Sequence, residues 1–200
     1  MKELDYDKFA NTVLFLLERC KRSPGLIALV KLVWYVDYWH YRHYLRSVTG
    51  GRYIALPMGP APEQYDDLFA RMCSDGILEM SKVPVYGRPK PKTRYHALKQ
   101  PNMDSFRDTE RLVLRHVVER LGHLSGEELV QKTHNEGPWA LVWDENEPSA
   151  KPIPQSLWRW SDNLPREEDL KLAQEYVQRP EVQGALRKLQ RAPQKQAAAV

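Results

Sequence analysis

The sequence is short of cysteine, of long apolar runs and of every short motif that marks a common catalytic chemistry, and each shortage closes a class of function. Two cysteines in 200 residues, Cys20 and Cys73, are too few for the disulfide framework of a small secreted domain. Both fall in helical patterns, where they read as buried free thiols. No stretch reaches the roughly 20 consecutive apolar residues of a membrane helix. The first eight residues carry Glu3, Asp5 and Asp7, where a secretory signal is basic and then apolar. A cytoplasmic protein without membrane contact is expected. The phosphate-gripping patterns G-x-x-x-x-G-K-S/T and G-x-G-x-x-G, the G-x-S-x-G elbow and H-E-x-x-H are all missing. His40 and His43 stand three apart, yet no Cys, Asp or His cluster accompanies them, so they read as part of a helix face and no metal or cofactor is expected. The neighbouring acids Asp66–Asp67 and Glu127–Glu128 suit helix first turns, where the dipole favours negative charge. No catalytic residue is expected, and the chain reads as a non-enzyme.

What is present suffices for one domain of ordinary size. The chain is 42% hydrophobic and 28% charged, with six Trp, ten Tyr and four Phe, a composition that supports a packed core. A first helix is predicted from Asp5 or Asp7 to Arg22, its stripe being Phe9, Val13, Leu16, Leu17 and Cys20. A second, from Leu26 to Ser47, is apolar on so many sides in its first half that it should be central. Its second half, from Tyr35 on, mixes aromatics with polar residues and is expected to reach the surface. A short strand is predicted over Arg52–Leu56, a turn over Met58–Pro62, and a third helix around the stripe Tyr65, Leu68, Phe69, Met72, closed by Gly76. A hairpin follows, with arms near Leu78–Tyr86 and Thr93–Leu98. A fourth helix over Ser105–Leu121 should turn Leu112, Leu114, Val117, Val118 and Leu121 inward. Ser125 and Glu128 then form a capping box, flanked by the staple pair Leu124 and Leu129, which starts a fifth helix ending near His134. Beyond Trp143 the chain is rich in proline, with helical patterns returning over 166–178 and 181–190.

Surface is where function is to be sought. Tyr35, Trp39 and Arg42 can share one side of the second helix, and with Tyr65 they form the expected partner-binding set, because Tyr, Trp and Arg are the residue types that anchor interfaces. For any one aromatic, the plainer reading is that it completes the core. The formal net charge of +4 is uneven. Residues 82–99 hold Lys82, Arg88, Lys90, Lys92, Arg94 and Lys99 with no acid among them. A basic hairpin after a helix–helix–strand–helix order loosely matches a winged helix, which leaves a second reading open. In it the chain is a regulatory module that binds nucleic acid, such as operator DNA, through Arg88, Lys90, Lys92 and Arg94.

Three segments together carry a family resemblance. Leu29-Val-Lys31-Leu32-Val-Trp-Tyr35 is similar to the lysine-containing helix of SocA-like (Panacea) antitoxin domains. Gly50-Gly51, Tyr53–Leu56 and Gly59-Pro60 with Tyr65 follow in the family's order. Leu124-Ser125-x-x-Glu128-Leu129 with Thr133-His134-x-Glu136-Gly137-Pro138-Trp139 matches its closing motif. The sequence departs from the family at Ala28, where a first lysine is usual, and at Ala61-Pro62. The resemblance covers about residues 5–145 and implies a mainly helical α+β domain with a small β element. Lys31, Tyr35, Gly59, Pro60, Ser125, Glu128, His134, Gly137, Pro138 and Trp139 are its motif positions, and a structural role is expected for them, with Gly137 and Pro138 shaping a turn that Trp139 packs. The resemblance also implies an antitoxin that neutralises a cognate toxin by direct binding, or hands it to a AAA+ protease as an adaptor. The expected organisation is a family domain over residues 1–145, an extension over 146–191 that docks on the core, and a disordered tail over 192–200.

Overall fold

The computed structural model describes residues 4–84, 86, 87, 89 and 91–159. The readings at Arg88, Lys90 and the C-terminal patterns from Trp160 onward lie outside the described residues. The chain opens with α1 (Tyr6–Arg19), capped by Asp5, whose side chain accepts the Lys8 N–H at 3.1 Å. The helix ends three residues before the expected Arg22. The backbone is extended at Cys20, bends at Lys21 and Arg22, and leads to Gly25, which bridges Arg94. Next come α2 (Leu26–Tyr44), β1 (Tyr53–Leu56), β2 (Gly59–Pro62), α3 (Tyr65–Ser74), β3 (Leu78–Val83) and β4 (Lys92–Ala97). A 3-10 turn at Met103–Ser105 precedes α4 (Asp108–Leu121), α5 (Gly126–His134) and α6 (Gly137–Val142). β5 (Lys151–Pro152) and a second 3-10 turn (Gln155–Arg159) close the described chain. Among the described residues the fold is mainly helical α+β, with one three-stranded sheet ordered β2-β1-β5 and one β3-β4 hairpin, both antiparallel.

The predicted turn at Met58–Pro62 is corrected by β2. Glu63 N donates to Arg52 O, which sets the ladder so that residues 59 and 61 face β1 with their polar groups, while Pro60 and Pro62 stand at the alternate positions. There the absent proline N–H points away from the ladder, so nothing is lost.

α2 is central, as its apolar circumference predicts, and packs against α1, α4, α5 and β2. The expectation that its second half surfaces holds for the last turn, where His43 and Tyr44 are exposed, and is corrected before it. Tyr35, Asp37, Tyr38 and His40 are all buried. Trp158, fully buried, covers one side of this stretch. It meets Trp34, Tyr41 and Tyr53 edge to face at ring distances of 5.0, 5.4 and 5.4 Å, and so roofs this part of the helix from the far end of the described chain. α2 also stops at Leu45, in the left-handed region at φ 55°, before the expected Ser47. The following loop turns back onto Asp37, whose carboxylate accepts Val48 N–H at 2.8 Å, Thr49 N–H at 2.7 Å, the Thr49 hydroxyl, and Tyr53 O–H at 2.8 Å. In α4, Leu112 is exposed, which corrects its predicted inward place. The inward stripe is Glu110, Val113, Leu114, Val117 and Leu121. Buried Glu110 is held by Lys8 at 2.6 Å and by Arg107 N–H at 2.9 Å, tying α4 to α1.

Candidate functional site

Several of the family-like positions, scattered over a hundred residues of sequence, come together near one buried amine, while Ser125 and Glu128 cap the far end of α5. Lys31 lies mid-α2 and is 2% exposed. An ammonium in that setting needs an acceptor, and its Nζ donates to Pro60 O at 2.7 Å. That carbonyl faces away from the β2 ladder, so Lys31 satisfies one polar group of a buried sheet edge while the two prolines remove its donors. Burial pushes the Lys31 pKa down to about 7.

Gly59 makes this closeness feasible. Its φ is +93°, and a Cβ there would overlap Thr133 Oγ1 on α5 and sit 3.1 Å from Lys31 Cε. Only glycine satisfies both the backbone and the space. The α5–α6 corner supplies the third wall. His134 lies flat on Trp139, ring centres 3.9 Å apart and planes within 4°, and Trp139 Nε1 donates to Leu56 O at 2.9 Å. His134 is held below its ordinary pKa by burial and by the nearby Lys31 charge, and its Nε2 is buried without a hydrogen-bond partner among the described residues. Tyr35 O–H donates to Glu136 Oε2 at 3.2 Å, and Glu136 also pairs with Lys132. Gly137, at φ +66°, is so close to Tyr38 that a Cβ would come 2.9 Å from its hydroxyl. Gly137 and Pro138 open α6, which corrects the expectation of a simple turn. Ser125 and Glu128 exchange both capping-box bonds at the start of α5, 3.2 Å to Glu128 N and 2.7 Å from Ser125 N.

The arrangement is therefore a joint between α2, β2, α5 and α6. Its buried amine, Lys31, is engaged with backbone, and the His134 ring is stacked on Trp139. Of the four expected partner contacts, Tyr35 is inside this joint and buried. Trp39 and Arg42 are half-buried on the next turns, Trp39 beside His116 at 5.3 Å and the Arg42 guanidinium 5.7 Å from the Tyr38 ring. Tyr65 is half-buried at the start of α3, on a separate part of the surface. Of the expected nucleic-acid contacts, Lys92 is exposed on β4, and Arg94 is half-buried and donates to Ser23 O at 3.2 Å. Asp37 is a buried polar centre outside the expected site residues, and its one signal in the sequence is an acid within an apolar helix.

A mainly helical α+β domain built around a lysine–proline joint is the class that fold and site define. The family model described as antitoxin SocA-like, Panacea domain, matches residues 29–140, more than half of the chain. The chain belongs to that family. No curated protein and no solved structure matches it.

Proposed function

We propose that this chain is the antitoxin of a toxin–antitoxin pair and neutralises its cognate toxin by binding it directly in the cytoplasm, without cofactor or turnover. The observation that carries the reading is the family match over residues 29–140. The placement of the motif supports it: Lys31, Gly59 and Trp139 are spent on holding the domain together, which leaves the outer surface to suit a particular toxin.

Co-expression with the product of the adjacent reading frame tests the reading. Growth should be arrested by the neighbour alone and restored by the pair, and the two proteins should purify as a stoichiometric complex. A harmless or unbound neighbour overturns it. The same strain separates inhibition from delivery to a AAA+ protease: an inhibited toxin keeps its half-life, whereas a delivered one is degraded faster when this chain is present.

A further inference from the structure

We infer that the outer edge of β3 is where the toxin is held, an extended acidic segment of the toxin adding to it as a third strand. The inference rests on the antitoxin reading and goes further by naming the surface and the chemistry of its occupant. Leu98 N donates to Ile77 O, which fixes the alternation of the β3–β4 ladder. Glu79, Ser81 and Val83 face β4 with their backbone polar groups, opposite His96, Arg94 and Lys92. Leu78, Met80 and Lys82 therefore turn N–H and C=O outward. Among the described residues no strand lies along that side.

The other edge of the hairpin is occupied. Gly25 bridges Arg94, whose guanidinium donates to Ser23 O, and β4 packs on α1 and α2. An open strand edge is a template for another chain, and a two-stranded ribbon gains stability from a third strand. The side chains along it specify the occupant. Met80 and Val83 are exposed apolar residues that would flank an added strand. Lys82, Lys92 and Arg94 outnumber Glu79 on the two strands, and no acid occurs from residue 82 to 99. The hairpin as a whole is therefore basic, with Lys82 on one face of the ribbon and Lys92 and Arg94 on the other, and its field favours an acidic segment by charge complementarity.

The full chain is purified with the toxin encoded beside it, and backbone amide exchange is read residue by residue, free and bound. On binding, Met80 and Lys82 should slow at least about tenfold while Glu79, Ser81 and Val83 change little, a two-residue alternation that side-chain contact alone does not produce. Met80→Pro removes one outward N–H and leaves the ladder within the hairpin intact, and should weaken binding about tenfold. Lys82→Glu with Lys92→Glu should weaken it similarly and flatten its salt dependence. Undiminished binding by both variants, without the alternation, overturns the inference and leaves the antitoxin reading standing. Failure of the unaltered chain to bind the toxin overturns both. A short DNA duplex bound by the unaltered chain and lost with the two Glu substitutions, toxin capture being unchanged, assigns the basic hairpin to nucleic acid and overturns the inference.

Discussion

Lys31 carries an amine with almost no access to water, and it makes the fold sensitive to pH in a defined direction. Burial takes its pKa from 10.5 in the open chain to about 7. Between those values the unfolded chain holds the proton and the folded one does not, so stability rises with pH across that window and is lowest below about 7. Replacing Lys31 with Met removes the contribution. The stability of the natural chain relative to Lys31→Met should grow by about 2–3 kcal/mol from pH 6 to pH 9, measured by urea unfolding at both pH values. A constant difference would mean that the amine stays charged when buried. Comparing two chains cancels the other buried groups, including Asp37, whose carboxyl burial pushes up. His134, held down by burial, titrates below its ordinary 6.5 and stays out of the window.

The β2 strand shows at the scale of an element how far local sequence chemistry reaches. Gly59-Pro-Ala-Pro62 has the composition of a turn, and nothing near it in sequence says otherwise. It is a strand because Arg52, 11 residues before Glu63, supplies the pairing, and because Lys31 and Thr133 close over it from two helices. Gly59→Ala should therefore cost about 2–4 kcal/mol, combining backbone strain with overlap. Gly76→Ala, at φ +61° with open space around it, should cost about 1 kcal/mol. Thermal unfolding of the two variants separates strain from crowding, and equal losses would contradict the packing described. By contrast, the α5 capping box was legible, since Ser125 and Glu128 satisfy each other within three residues. Helices α1 to α5 and the hairpin were legible from local pattern, with shifted ends, whereas α6 had the letters of a turn. Burial of α2 as far as His40 was not, because the groups that cover it are distant in sequence: Trp158 at Trp34, Glu136 at Tyr35 and Thr109 at His40. The joint was legible as a set of letters and illegible as a geometry. Its order matched the family, but that Lys31 meets Pro60 O depends on which way a strand carbonyl points.

At the scale of the whole molecule, residues 29–140 do not enclose their own core. Phe9, Val13 and Leu16 of α1 come from one side of that span, Ile153 and Trp158 from the other, and all are buried. Trp158→Ala should thus destabilise the chain by about 3–5 kcal/mol, read as a fall in urea midpoint with little change in slope. A loss under 1 kcal/mol would mean that the roof over α2 is dispensable.

The interior placement of Lys31, Gly59 and Trp139 also bears on genetics. If the chain neutralises a toxin as proposed, a screen for alleles that no longer protect a cell would collect these positions in quantity although they are buried. Their defect is one of abundance, since a marginal fold is cleared by quality control, and so it should be temperature-sensitive: protection returns in the cold or at higher dosage. Alleles that fail equally at every temperature and dosage are the ones that mark the true line of contact.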